Sequence, residues 1–180
     1  MRDVRNSPLF LRLGTRMRGP KDAPVGRLKR VLISNVVSSA ALPELCSIVS
    51  GVPGHRIEDI KISDVYLQQL GGGTTAMAEL NPLEKESEYP EPSMFGGLPS
   101  SGFFLRHVKN IEMSNVEIAT EQPDARPAFW INDVEGADFF RVNVPRASRA
   151  FAMRDVREFR VFGSRKIKET TLEQAAHQEL

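Results

Sequence analysis

Apolar residues recur along this chain in a frame that matches neither a helix nor a simple alternating strand. In Ile57-Glu58-Asp59-Ile60-Lys61-Ile62-Ser63-Asp64-Val65 they step by three, two and three. The frame is apolar-x-polar-apolar-x-apolar-Ser-Asx-Val, and it can be laid over residues 27–36, 56–65, 107–116 and 133–142. A weaker copy, Asp155-Val156-Arg157-Glu158-Phe159-Arg160-Val161, lacks the Ser-Asx ending. A second strand-like unit precedes three copies: Gly102-Phe103-Phe104-Leu105, Ala128-Phe129-Trp130-Ile131 and Ala150-Phe151-Ala152-Met153. Leu9-Phe10-Leu11-Arg12 echoes Phe103-Phe104-Leu105-Arg106.

From Leu28 to Ile57, Val108, Val134 and Val156 the intervals are 29, 51, 26 and 22 residues, so a regular unit carries connections of variable length. Strands this short, apolar on one face, cannot close a core alone and must be stacked on their neighbours. The expected fold is therefore all-β, a right-handed parallel β-helix over residues 1–164. The same frame predicts one interior column of Ile33, Ile62, Met113, Phe139 and Val161, with Phe103 and Phe151 also inside. It sets Asn35, Asp64 and Asn115 at one turn, where Asx tolerates left-handed backbone and can bond to the next unit. A β-sandwich would need closer strand spacing with hairpin turns. A leucine-rich repeat would need a Leu-x-x-Leu-x-Leu frame, which is missing.

The interval of 51 contains a Gly/Pro-rich, acidic insertion, residues 71–101, with Glu79, Glu84, Glu86, Glu88 and Glu91. It is read either as a wall beside a groove or as a solvated excursion. Residues 165–180 change character. Thr170-Thr171-Leu172-Glu173 resembles a capping box and good helix formers follow, which predicts a short C-terminal helix as cap or tail.

Charge nearly cancels, with 24 Lys and Arg against 23 Asp and Glu, and there is no basic block to suggest nucleic acid. The single cysteine, Cys46, excludes an internal disulfide, and no Cys/His spacing fits zinc. No metal or other cofactor is expected. No apolar run approaches the roughly 20 residues of a membrane-spanning helix. The opening residues Met1-Arg2-Asp3-Val4-Arg5-Asn6 lack the apolar core of an export signal, and this start also fits a chain whose targeting signal lies upstream. Gly71-Gly72-Gly73 has no flanking strand, Lys and helix to make it a phosphate cradle.

Three segments carry a resemblance: Phe10-Leu11-Arg12-Leu13-Gly14 with residues 24–36, Gly51-Val52-Pro53-Gly54-His55, and residues 88–99 leading into Gly102-Phe103-Phe104-Leu105-Arg106-His107-Val108. Together, over residues 4–144, the chain resembles the C-terminal part of bacterial polygalacturonase-type glycoside hydrolases, family twenty-eight. The resemblance implies a right-handed parallel β-helix, inverting hydrolysis of pectic polysaccharide (galacturonate or rhamnogalacturonan) and an extracytoplasmic location. It also implies Asn-Thr-Asp, Asp-Asp and Gly-His-Gly motifs, and none of the three is present. Arg27-Leu28-Lys29 matches that family's Arg-Ile-Lys only as a tripeptide, and Gly54-His55-Arg56 lies after it, in the wrong order. No catalytic residue is assigned. An inverting pair needs carboxyls about 6.5–9.5 Å apart, so the chain alone is expected to be inactive, corresponding to later coils of such an enzyme. The alternatives are a noncatalytic β-helix module, for glycan binding or scaffolding, and altered chemistry using the insertion acids Glu88 and Glu91.

Uronate sites pair aromatic faces with Arg or Lys, which selects Tyr89, Glu91, Arg106, His107 and Arg12 as candidate substrate-binding residues. Four of them have a plain reading beside the functional one. Tyr89 either faces a groove or pins the insertion together with Phe95. Arg106 and Arg12 either line an exposed sheet face toward a carboxylate or simply point outward, and His107 is either a titrating group or a hydrogen-bonded corner. Alternation puts Trp130 on the outer face, for sugar stacking or for packing under a loop. The expected partner is an acidic polysaccharide or oligosaccharide, with self-association through the exposed N-terminal coil.

Overall fold

The computed structural model describes residues 5–16, 18–145 and 149–180. Of the opening stretch Met1–Asn6, which lacks the apolar core of an export signal, residues 1–4 lie outside the described residues. The described chain is all-β. Its strands are β1 (Phe10–Arg12), β2 (Lys29–Ala41), β3 (Ser47–Ser50), β4 (Ile57–Gln69), β5 (Phe103–Thr120), β6 (Phe129–Phe140), β7 (Phe151–Phe162) and β8 (Thr170–Glu179). Between β4 and β5 lie the helical turn α1 (Thr75–Ala78) and a 3-10 turn (Pro92–Phe95).

The expected repeat frame is the pairing register. Val31 pairs with Ile60, Ile60 with Ile111, Ile111 with Ala137 and Ala137 with Phe159, all in parallel. These partners are separated by the same 29, 51, 26 and 22 residues that separate the sequence copies. Ile33, Ile62, Met113, Phe139 and Val161 form one column, as expected. The shorter units form another path, β1 with β3, then the first parts of β5, β6 and β7.

The long strands are bent. Three columns of left-handed residues run across them: Asn35, Asp64, Asn115, Arg141 and Gly163; Arg30, Asp59, Asn110, Gly136 and Glu158; and His107, Asp133 and Asp155. A left-handed residue places a second outward side chain next to the first, which converts a step of two into a step of three. That is the physical origin of the apolar frame. Asn and Asp adopt this backbone at low cost, and here they also bond from strand to strand, Asn115 Nδ2 donating to Asp64 Oδ1 and Asn110 Nδ2 to Asp59 Oδ1, both at 3.0 Å.

The inward positions make one continuous core that includes Ile60, Ile111, Phe103, Phe129, Phe139, Phe151 and Phe159. On the outer face of β3, β5 and β6 a second cluster joins Cys46, Ile48, Phe104 and Trp130 to Met94, Phe95 and Leu98 of the insertion. Burying a large apolar side chain contributes roughly 1.5–3 kcal/mol, so these three insertion residues hold it firmly on the sheet.

The expected C-terminal helix is corrected. Residues 170–179 form β8, antiparallel to β7, with Phe159 opposite Leu172 and Val156 opposite Ala175. Helix propensity is a weak prior that tertiary pairing overrides: β8 satisfies the β7 edge, and Ala175 is buried. The pairing also makes the sheet mixed.

Candidate functional site

The outer end of the short strands carries one register row, Arg12, Ser50, Arg106, Asn132 and Arg154. An exposed face at Arg106 is not what the structure shows. Its side chain is buried, 2% exposed, because the insertion closes over it. Its Nη1 donates to the Pro82 carbonyl at 2.7 Å and its Nη2 to the Leu83 carbonyl at 3.2 Å. It pairs with Glu84 at 3.1 Å, and its guanidinium lies over the Phe95 and Phe104 rings. Arg12 reaches the same segment, with Nη1 donating to Ser50 Oγ at 2.8 Å and Nη2 to the Glu84 carbonyl at 2.6 Å. Burial and the neighbouring Arg106 charge pull the Arg12 guanidinium down to about 10, against the pull of Glu84 and Glu86. Arg106 spends its Nη donors on the insertion, and Arg12 divides its own between β3 and the insertion.

His107 sits at a left-handed corner, φ 52°, between two carboxylates. Nδ1 is 2.6 Å from Asp133 Oδ2 and Nε2 is 3.1 Å from Glu84 Oε1. Asp133 also accepts from Arg56, whose Nη1 donates to Glu135 at 2.9 Å, and Lys109 pairs with Glu135 at 2.7 Å. A continuous charge chain therefore runs from Glu84 of the insertion through His107 to three strands. Buried Arg12 Nε, Arg106 Nε and Glu84 Oε2 have no hydrogen-bond partner among the described residues.

Tyr89 and Glu91 lie apart from this chain. Tyr89 is 65% exposed, with Arg16 stacked 4.8 Å over its ring. Glu91 stands at the start of the 3-10 turn without a side-chain capping bond and accepts from Ser93 Oγ at 3.0 Å. The structure thus brings Arg12, Arg106 and His107 together around Glu84 and leaves Tyr89 and Glu91 elsewhere on the insertion.

Asp124 and Arg126 were not among the sequence candidates. They form a buried fork, Nε to Oδ1 at 3.0 Å and Nη2 to Oδ2 at 2.7 Å. Asp124 also accepts from the Gly73 N–H at 3.0 Å, and Arg126 Nη1 donates to the Leu98 carbonyl at 3.2 Å, so one pair grips the insertion near both of its ends. A Cβ at Gly73 would come within 2.2 Å of Arg126 Nε, which is why the third glycine of Gly71-Gly72-Gly73 is needed there.

Beside the insertion is a depression of about 320 Å³ lined by Glu79, Trp130, Arg149, Arg154, His177 and Glu179 among others. Trp130 is on the outer face, as alternation requires, but is 2% exposed. Its ring stacks on Phe104 at 4.8 Å and sits 5.8 Å under the Arg154 guanidinium, so loop packing, rather than an open sugar platform, accounts for it. The rim that remains is polar: Arg154, His177, Glu79 and the Arg149–Glu179 ion pair. Among the described residues no cluster of His, Cys, Asp and Glu could hold a metal ion, and no helix is long and apolar enough to cross a membrane.

Burial raises both the Asp133 and the Asp124 carboxyl, but bonds from Arg56 and His107 to the first, and from Arg126 and Gly73 to the second, outweigh it and hold both below the ordinary carboxylate range. A depressed carboxyl contributes stability that is complete above its unfolded value and is lost as pH falls through the folded one. Urea midpoints should therefore stay flat with respect to these two groups from pH 7 to 5 and fall below about pH 4, where unfolded Asp titrates. Asp133→Asn should lessen that fall, and an identical acid profile in the variant would refute the assignment.

No family model matches the chain, and no curated protein or solved structure matches it.

Proposed function

We propose that the bent parallel strands are coils of a right-handed parallel β-helix, and that the chain corresponds to C-terminal coils of a polygalacturonase-type glycoside hydrolase that hold uronate-containing pectic polysaccharide. The observation that carries this is the parallel register of β2, β4, β5, β6 and β7 across unequal sequence intervals, with columns of left-handed residues. Such an arrangement keeps one strand frame constant and lets the connections vary, which is what a β-helix requires. The depression beside the insertion is the candidate site: Arg154 and Arg149 are cations suited to a sugar carboxylate, with the His177 ring beside them.

The chemistry stays outside the assignment because the acids are engaged. Asp124, Asp133 and Glu135 are in ion pairs that hold their carboxyls below the ordinary range, where a general acid needs a raised value. The same fact favours the second reading, a noncatalytic glycan-binding module.

The test is a reducing-end assay on the 180-residue chain with polygalacturonate, rhamnogalacturonan and trigalacturonate, alongside calorimetric titration. Binding without new reducing ends is expected. Arg154→Ala should weaken trigalacturonate about 10-fold or more, the worth of one charge-assisted hydrogen bond. Turnover would place the reacting acids within this chain, with Glu88→Gln and Glu91→Gln as the first variants to assay. Absence of both heat and turnover would overturn the carbohydrate reading.

A further inference from the structure

The side of the strand stack carries a groove that the carbohydrate reading leaves unused. It crosses β4, β5, β6, β7 and β8, has a volume of about 610 Å³ and follows the left-handed column of Asp59, Asn110, Gly136 and Glu158. Ala137 and the half-buried Leu172 line it together with charged side chains. Lys61 pairs with Glu112 at 2.9 Å, and Arg160 holds Asp138 through two bonds, Nε to Oδ1 at 2.9 Å and Nη2 to Oδ2 at 3.0 Å. Both cations of the groove are thereby used. Its remaining acids, Asp59, Glu158 and Glu173, are exposed and make no ion pair among the described residues. Asp59 accepts only from Asn110 Nδ2. Glu158 and Glu173 come opposite one another, because Arg157 pairs with Gln174 and Phe159 with Leu172. Like charges directly opposite are destabilising, so one end of the groove is a carboxylate pair that the fold itself does not neutralise.

We propose that this groove binds an extended basic peptide segment of a partner protein, through two lysine or arginine side chains four residues apart. The spacing of the acids selects that pattern. Strands lie about 4.8 Å apart, so the three steps from β4 to β7 put Asp59 roughly 14 Å from Glu158. An extended peptide advances about 3.3 Å per residue and alternates faces, so side chains at i and i+4 point the same way roughly 13 Å apart. One cation then meets Asp59 and the other the Glu158–Glu173 pair, while the aliphatic stems lie along the groove beside Ala137 and Leu172. Charge selects the class of partner: five acids against two cations complement a cationic chain and repel a uronate one. The groove opens on the side of the stack, so it does not depend on what precedes β2. Nor does it depend on the carbohydrate reading, and its test contains no sugar.

The probe is a capped alanine-based hexapeptide with lysine at its first and fifth positions, titrated calorimetrically into the whole chain at low salt. Saturable binding is expected, and it should weaken as salt is added. Moving the second lysine to the third position should weaken it several-fold. Glu158→Gln with Glu173→Gln should weaken it about 10-fold or more, the worth of one charge-assisted hydrogen bond. Glu117→Gln with Glu121→Gln removes the same charge from exposed positions outside the groove and should change little. In the free chain, Glu158→Gln alone should raise the urea midpoint, since it removes the opposed charge. Absence of binding overturns the proposal, and so does equal loss in the two double variants, which is the behaviour of a general polycation surface. Equal affinity for the two lysine spacings, or for spermine, overturns the assignment to a spaced peptide. A urea midpoint that does not rise shows that the carboxylate pair is already neutralised and removes the reason for a cationic ligand.

Discussion

Arg126→Met is expected to cost about 3–5 kcal/mol, the range for removing one member of a buried ion pair. The guanidinium is 1% exposed and its carboxylate partner is fully buried, so truncation leaves the Asp124 charge in the interior without its cation, still accepting from the N–H groups of Gly73 and Arg126. The Leu98 carbonyl loses its partner as well. Since Gly73 and Leu98 stand near the two ends of the insertion, the damage is predicted to be local first: proteolysis between residues 71 and 101 should accelerate before global unfolding. Urea denaturation followed by Trp130 fluorescence reports both, because that ring lies in the cluster the insertion covers. Removing both charges, Asp124→Leu with Arg126→Met, should recover part of the loss, since no orphaned charge remains. A loss under 1 kcal/mol for Arg126→Met would show that the fork is not what holds the insertion.

The parts of this structure visible in the sequence are those that repeat. The apolar frame fixed by left-handed Asx residues gave the register, and the same alignment contains more than was taken from it. Its third position reads Lys29, Glu58, Lys109, Glu135, Arg157, alternating in sign where neighbouring strands meet, and the Lys109–Glu135 bridge is one result. Its first position reads Arg27, Arg56, His107, Asp133, Asp155. Reading down that column sets Asp133 beside His107, with Arg56 on the far side of that histidine, the heart of the charge chain. The insertion does not repeat, so nothing in its sequence says that Glu84 folds back onto Arg106 and His107 or that Phe95 packs on Phe104. Arg12 and Arg106 were rightly placed in one row, but whether that row meets a substrate or the chain itself depends on where an irregular loop lies. β8 was missed for a related reason. Helix formers in Gln174-Ala175-Ala176 record local preference, whereas the unsatisfied edge of β7 is a property of the assembled sheet.

The frame also makes a sharp prediction at two adjacent phenylalanines. Phe139 is fully buried and its ring touches three others edge-on or tilted, Phe129 at 5.1 Å, Phe151 at 4.9 Å and Phe159 at 5.6 Å between centroids. Phe140 points outward, is 36% exposed, and lies tilted against Phe162 with 4.9 Å between ring centroids. Phe139→Ala should therefore cost about 3–5 kcal/mol in urea unfolding, the sum of lost transfer energy and an unfilled cavity. Phe140→Ala should cost about 1 kcal/mol, the worth of one partly exposed ring pair. The contrast tests the register itself. In a parallel sheet the side-chain period is two, and a slip of one residue in β6 would exchange the two faces. It would bury Phe140, expose Phe139 and reverse the order of the two losses. Because β6 is paired on both sides, such a slip would also break its match to β5 and β7 at once, so the measured order reads the alignment of three strands from one pair of variants.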